Sequence, residues 1–234
     1  MRETSAQRKP SLGSPTLVLF PTELERLRVE DHGGIEAGLA LRALCGFGPV
    51  AAAARTADLL ATLHPARVLL LGIAGAYDIA THPVGEAFEF DSVAIEGVGV
   101  GEGAGLVAPP ALGFPQWPGS AEGSSAIFDR LPLFAPASER RTGLLLTTCA
   151  ASADLGQAAL RRERFPDAVA EDMEGFAVAT ACAMAGVPLR IVRGISNEVG
   201  DRAPEHWRIP AALAAARRVA LEILESRAEW PATR

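Results

Sequence analysis

Short apolar runs recur along the chain, separated by segments that are rich in alanine or in charged residues. The runs Thr16–Phe20, Leu39–Cys45, Arg67–Leu71 and Gly143–Thr148 are bounded by glycine, proline or polar residues, which is typical of buried strands. Ala87–Glu96 alternates apolar and polar positions, and this pattern predicts a half-exposed strand. The hydrophobic pattern therefore predicts a sheet as the centre of the protein.

Helical segments lie between these strands. Val50–Leu63 is rich in alanine, which favours a helix strongly, and Pro210–Arg227 has an amphipathic pattern. Asp154 is a suitable N-cap for a helix over Leu155–Arg164. Glu23–Leu27 predicts a helix or a turn after the first strand. Alternating strands and helices indicate an α/β fold with right-handed crossovers.

The most informative stretch is Ala168–Arg202. Its short apolar start predicts a strand. Three acids, Glu171, Asp172 and Glu174, are then expected at the start of a helix, where the helix dipole favours negative charge. A second strand should follow and end in a polar loop that contains Asn197. Because ligands of α/β sheets bind beyond the carboxyl ends of the strands, Glu174 and Asn197 should face one pocket.

The chain has 234 residues, a length that suits one large α/β domain. We predict a disordered tail over residues 1–15, a domain over 16–228 and a short tail over 229–234. Glycine and proline are frequent between Gly97 and Gly123, which predicts a long irregular loop with no assigned role.

Composition excludes several classes of protein. A net charge of −6 without a basic block argues against nucleic-acid binding. No apolar run approaches the roughly 20 residues that a membrane helix needs. Three cysteines, far apart and odd in number, form no metal or disulfide pattern and suit a reducing cytoplasm. We therefore expect no metal, no membrane and no nucleic-acid partner.

Two motifs, EDMEGFAVA and VRGISNEVGDR, together resemble the nucleoside phosphorylase/nucleosidase superfamily. Within it they are most similar to futalosine hydrolases, relatives of the methylthioadenosine/S-adenosylhomocysteine nucleosidases. The resemblance extends over Thr16 to Leu224. It implies a single α/β domain whose central twisted mixed sheet is flanked by helices. It also implies cleavage of an N-glycosidic bond, a nucleoside as the small-molecule substrate, no cofactor and a homo-oligomer, a dimer or larger.

The resemblance also implies roles for individual residues. Glu174 matches the glutamate that holds the ribose hydroxyls, and Met173 matches a methionine that packs against the sugar. Glu25 matches the glutamate that activates the attacking water, with Glu23 as its rival. Asn197 stands where adenosine-type nucleosidases carry aspartate. Its amide can donate to a purine O6 and accept from a protonated N7, which favours a 6-oxopurine such as hypoxanthine.

Other candidates line the same predicted pocket. Ala74 and Gly75 follow the third strand, where glycines let the backbone approach a ligand. The resemblance implies that the backbone at Ala151 and Ser152 flanks the base. It also implies that Trp207 lies near the 5′ substituent, although Trp207 could equally anchor the last helix.

Water is favoured over phosphate as the nucleophile. A phosphate site usually recruits arginine, and LLLGIAGAYD at the third strand has none, although Arg42 or Arg55 could reach in from a neighbouring subunit. The predicted function is hydrolysis of futalosine, or of a close analogue, to hypoxanthine and dehypoxanthine futalosine in menaquinone synthesis. The alternatives are a purine nucleoside phosphorylase, a methylthioadenosine/S-adenosylhomocysteine nucleosidase and a non-catalytic nucleoside-binding domain.

Overall fold

The computed structural model describes residues 15–36, 38–120, 125–134, 140–226 and 230. Within them the strands are β1 Thr16–Phe20, β2 Ala40–Leu44, β3 Arg67–Ala76, β4 Ala87–Ile95, β5 Arg130–Pro132, β6 Arg141–Thr147, β7 Ala168–Asp172 and β8 Leu189–Glu198. The helices are α1 Glu23–Asp31, α2 Pro49–Leu63, α3 Pro109–Leu112, α4 Leu155–Arg164, α5 Gly175–Ala185 and α6 Ile209–Glu225. The predicted tails fall almost entirely outside the described residues.

The strands form one mixed sheet that closes on itself. β2, β1 and β3 run parallel, and β3 then pairs with β8 in parallel and with the end of β7 in antiparallel orientation. β4 pairs with β8 and β5 in antiparallel orientation and with β6 in parallel, and β6 pairs with β7 in parallel. The pairings β3–β8–β4–β6–β7–β3 thus complete a ring, which brings the ends of β3, β7 and β8 together.

Helices cover the sheet on both faces. α2 and α5 pack over one apolar cluster, which includes Leu70, Leu145 and Ile191. α6 packs over a second cluster, which includes Leu69 and Val192. Neighbouring residues of one strand point to opposite faces, so β3 contributes to both clusters. The predicted α/β domain with a mixed sheet and flanking helices is confirmed.

Two strand predictions were wrong in their details. Gly72–Ala76 was expected to follow the third strand, but β3 continues through it because β8 pairs with it as far as Ala76. Ala87–Glu96 was expected to be half-exposed, but no residue of β4 is exposed, because β5, β6 and β8 all pair with it. Both errors come from pairing between residues far apart in the sequence.

Two further expectations need correction. Glu171 and Asp172 do not start a helix: they are the last residues of β7, and α5 begins after Glu174. The stretch from Gly97 is not wholly irregular, because it contains a 3₁₀ turn at Gly103–Gly105, the short α3 and a bridge between Val100 and Val107. Its residues 121–123 lie outside the described part.

No helix in the described part of the chain combines the length and apolarity that a membrane crossing requires.

Candidate active site

Glu25 is a buried carboxylate that the start of α1 holds in place. Thr22 is the N-cap, and its backbone N–H and hydroxyl lie 3.0 and 2.6 Å from Glu25 Oε2. Oε1 accepts from the backbone N–H of Ile73, 3.1 Å away, so β3 fixes the other oxygen. Burial raises the pKa of Glu25 against the opposing charge of Arg193. A buried carboxylate whose pKa is raised in this way can serve as a general base.

The rival residue, Glu23, lies outside this cluster. Its side chain is 52% exposed and forms an ion pair with Arg26 on the surface of α1. The hydrogen bond from Arg26 lowers the pKa of Glu23. Of the two glutamates, Glu25 therefore has the surroundings of an active-site base.

Glu174 occupies the N-cap position of α5, at the carboxyl end of β7. It is 4% exposed, and its Oε1 accepts from the backbone N–H of Gly48, 2.9 Å away. Burial raises its pKa to about 7, partly offset by the charge of Arg193. Met173, beside it, is half-buried.

Arg193 connects these acids, and the sequence analysis did not assign it to the site. Its guanidinium is fully buried, with Nη2 2.6 Å from Asp172 Oδ2 and 3.5 Å from Glu174 Oε2. Nη1 has no hydrogen-bond partner among the described residues. A Cβ atom on Gly72 would collide with this Nη1 and lie 2.7 Å from Glu25 Oε1. Nη1 and Glu25 Oε1 thus both border the space over Gly72. One sequence signal for Arg193 existed, an arginine inside an apolar strand.

Gly72→Ala should disturb the packing of Arg193 and Glu25 over Gly72 and destabilise the protein. The new methyl group must displace the Arg193 guanidinium or the Glu25 carboxylate, and overpacking of a tight interior costs about 1–3 kcal/mol. Urea unfolding should show this loss. Gly105→Ala is the matched control, because a Cβ atom there meets nothing within 4 Å. Equal stability of the two variants would mean that the space over Gly72 is not tight.

Asn197 lies near the end of β8, on the strand next to Gly75, with which it pairs. Its Nδ2 donates to the carbonyl oxygens of Glu198 and Asp201, at 2.7 and 3.4 Å. Ser196 Oγ lies 2.7 Å from Asn197 Oδ1 and donates to it. These partners fix the orientation of the amide, because carbonyl oxygens can face only its NH₂ group.

The remaining predicted residues surround this strand end. Ala74 is buried and pairs with Ile195 in β8. Ala151 is half-buried and Ser152 is buried, in the loop after β6. Trp207 is half-buried, and its Nε1 donates to the carbonyl oxygen of Asp201, the same oxygen that Asn197 approaches. Trp207 is thereby connected to Asn197.

Among the described residues, no group of three or more histidine, cysteine, aspartate or glutamate side chains is arranged to hold a metal ion. The expectation that no metal or cofactor takes part stays a prediction.

Comparison with known proteins relates this arrangement to one superfamily. A family model described as Phosphorylase superfamily matches residues 32–226. Futalosine hydrolase of Streptomyces coelicolor is 38% identical over 178 residues, 73% of this chain and 72% of that protein. Futalosine hydrolase of Thermus thermophilus is 35% identical over 223 residues, 89% of this chain and 94% of that protein.

A solved structure has the same fold. The 5′-methylthioadenosine/S-adenosylhomocysteine nucleosidase of Neisseria meningitidis, crystallised with methylthio-immucillin-A, superposes with a TM-score of 0.70. The match covers 91% of this chain and 99% of that chain at 21% sequence identity. At this identity the likeness concerns the fold.

Proposed function

We propose, since this chain belongs to the phosphorylase superfamily, that it is an N-glycosidase that hydrolyses futalosine to hypoxanthine and dehypoxanthine futalosine. The futalosine hydrolases that are 38% and 35% identical to it support this substrate. The observation that carries the chemistry is the buried cluster in which Glu25 and Glu174 flank Arg193, at the end of the sheet that also holds Asn197.

In the proposed reaction, Glu25 acts on water. Its carboxylate takes a proton from the water as the oxygen bonds to C1′ of the ribose. The bond from C1′ to N9 breaks, and its electron pair leaves with the purine, whose N7 takes up a proton from solvent. Glu25 then returns its proton to solvent, so the reaction consumes one water molecule. Nη1 of Arg193, which has no hydrogen-bond partner among the described residues, would hold the same water, because Nη1 and Glu25 Oε1 border the same space over Gly72.

The other predicted residues hold the two halves of the substrate. Glu174 accepts hydrogen bonds from the ribose hydroxyls, and Met173 packs against the sugar. Asn197 Oδ1 accepts from N7–H while its NH₂ group donates to O6, so charge that develops on the departing base is stabilised. Ala151 and Ser152 flank the base, and Trp207 lies toward the 5′ substituent. No metal or organic cofactor takes part in this scheme.

The charges around Arg193 favour water over phosphate. Glu25, Asp172 and Glu174 all face its guanidinium, and Asp172 binds it most closely, at 2.6 Å. A phosphate dianion at this place would meet three carboxylates around a cation that they already neutralise. A neutral water molecule meets no such repulsion.

We also propose that the enzyme is a cytoplasmic homo-oligomer of menaquinone synthesis. The name of its relatives implies the pathway. Phe47 and Val50, on either side of the Gly48 that binds Glu174, are 66% and 83% exposed. Exposed apolar side chains beside the ribose end of the site are typical of a surface that a second subunit covers. Light scattering of the purified protein tests the oligomer.

A product assay tests the function. Futalosine, inosine and methylthioadenosine are each incubated with the enzyme, with and without phosphate, and the released base is identified. Hypoxanthine released from futalosine without phosphate supports the proposal. Strict dependence on phosphate would indicate a phosphorylase, adenine released preferentially from methylthioadenosine would indicate the other nucleosidase, and tight binding without turnover would indicate a binding domain.

Activity should depend on pH through the buried carboxylates. Burial raises the pKa of Glu174 to about 7 and also raises that of Glu25. Glu25 must be ionised to take a proton from water, and Glu174 must be ionised to accept hydrogen bonds from both ribose hydroxyls. The kcat/KM for futalosine should therefore be highest above pH 7 and fall on the acid side with a midpoint near 7, because this ratio reports the free enzyme. A profile that stays flat down to pH 5, with the protein folded by circular dichroism, would contradict these roles.

A further inference from the structure

The segment between β8 and α6 holds the Trp207 ring beside Asn197. The carbonyl oxygen of Asp201 accepts from Trp207 Nε1 at 3.1 Å and lies 3.4 Å from Asn197 Nδ2. The carboxylate of Asp201 fixes the segment itself, because Oδ1 accepts from the backbone N–H of Ala203 at 2.9 Å and Oδ2 lies 2.6 Å from His206 Nδ1. The indole ring therefore keeps its place relative to the amide as long as these bonds hold.

This place corresponds to the 5′ side of a bound nucleoside. In the proposed function, Asn197 faces N7 and O6 of the purine. In the anti conformation of a purine nucleoside, the 5′ carbon lies above C8, the atom that is bonded to N7. A long 5′ substituent therefore leaves the ribose on the side of the base where Asn197 is connected to Trp207 through Asp201.

Arg202 brings an unpaired cation to the same ring. Its Cζ lies 4.8 Å from the centroid of Trp207, and its side chain is exposed. Within the described part of the chain the guanidinium forms no ion pair and no hydrogen bond. The adjacent acid, Asp201, already engages both carboxylate oxygens with Ala203 and His206. A guanidinium that stacks on an aromatic face keeps its N–H edge for a planar anion such as a carboxylate.

We infer that Arg202 is a specificity-determining residue that binds the carboxylate of an aromatic acid on the 5′ side of the substrate. This inference rests on the proposed function and deepens it. Futalosine ends, on its 5′ side, in a benzoate that a short ketone-containing chain joins to the ribose. The benzoate ring packs beside Trp207, and its carboxylate meets the edge of the Arg202 guanidinium. Inosine and methylthioadenosine carry no acid at this position, so Arg202 favours futalosine over both.

A cycle of two proteins and two substrates tests the inference. Steady-state kinetics are measured with futalosine and with its methyl ester, which keeps the aromatic ring but has no charge, on the wild type and on Arg202→Gln. In the wild type the ester should have a KM about tenfold higher than the acid, because a charged hydrogen bond is lost. The loss should appear in KM and leave kcat unchanged, since the contact is remote from the reacting bond and is the same in the ground and transition states.

Arg202→Gln should remove the difference between the two substrates. Its KM for futalosine should rise to about that of the ester, and its KM for the ester should stay near the wild-type value, because both changes delete one interaction. Arg28→Gln is the matched control, an exposed arginine on α1 whose Nη1 lies 3.4 Å from Asp31 Oδ2. It should keep the wild-type preference for the acid.

Each result decides the inference. Equal KM values for acid and ester in the wild type, or a preference for the acid that survives in Arg202→Gln, would overturn it. Equal losses for acid and ester in Arg202→Gln would mean that Arg202 only supports the segment around Trp207, and would also overturn it.

The proposed function fails separately, if the wild type does not cleave futalosine. Dissociation constants of futalosine and its methyl ester, measured by calorimetry on the wild type and Arg202→Gln, then decide the role of Arg202. Tighter binding of the acid that is lost in Arg202→Gln supports the inference, and equal binding of acid and ester by the wild type overturns it.

Discussion

Glu25→Gln should lower kcat for futalosine hydrolysis by about 10²–10⁴, the usual contribution of a general base. Glutamine keeps the size of the side chain, and its carbonyl oxygen can still accept from Thr22, which binds Glu25 Oε2 at 2.6 and 3.0 Å. Its NH₂ group then faces the N–H of Ile73, so that hydrogen bond is lost, and glutamine cannot take a proton from water. Steady-state release of hypoxanthine measures the loss. Glu23→Gln is the control, because Glu23 is exposed and paired with Arg26, and it should retain wild-type turnover.

Thermal unfolding separates a catalytic loss from a loss of structure. The pKa of Glu25 is raised in the folded state, so the stability it contributes is present below the unfolded-state pKa and is lost as pH rises through the folded value. Glutamine carries no charge at any pH. At pH 8 the variant is relieved of a buried charge but loses the bond from Ile73, so it should unfold within about 4 °C of the wild type. Full activity of Glu25→Gln, or loss of activity in Glu23→Gln instead, would reject the assignment.

The elements with strong local signals were predicted well. Thr16–Phe20 is β1 as predicted, and Asp154 caps α4 through a bond from the backbone N–H of Gln157. Each of these depends on residues within one turn or one strand, so the sequence pattern carries the information.

The errors and omissions concern residues whose surroundings come from distant segments. Asp172 was assigned to a helix start because its neighbours are acidic, yet it ends β7 and binds Arg193, 21 residues later. Arg193 itself was not assigned to the site, because nothing near it in the sequence shows that Glu174 lies 3.5 Å from its guanidinium and that Glu25 lies close by. The ring of strand pairings brings these residues together, and a local pattern cannot show it.

Two interpretations of Trp207 were left open, a position near the 5′ substituent of the substrate and an anchor for the last helix. A surface anchor for α6 would have no reason to contact the predicted base site. Trp207 Nε1 instead donates to the Asp201 carbonyl oxygen at 3.1 Å, and Asn197 Nδ2 lies 3.4 Å from the same atom. The guanidinium of Arg202 stacks on its ring at 4.8 Å. A role beside the substrate therefore stays a prediction with a geometric basis.

Asn197→Ala should lower kcat for futalosine by about 10²–10³, the cost of removing one donor aimed at developing charge. The alanine variant should stay folded, because Asn197 lies at the strand end and is bonded mainly to neighbouring backbone carbonyl oxygens. Hypoxanthine release measures the effect. Gln116→Ala is the control, since it removes an amide from an exposed residue, and it should keep wild-type turnover.

Asn197→Asp tests the chemistry of the same position more sharply. A carboxylate accepts hydrogen bonds but cannot donate to O6, so futalosine turnover should fall while release of adenine from methylthioadenosine rises relative to it. The amide of the wild type would then account for the preference for a 6-oxopurine at the N7 and O6 edge of the base. An unchanged ratio of the two activities, in a protein that remains folded, would mean that the 6-substituent is recognised elsewhere and that Asn197 acts on N7 alone.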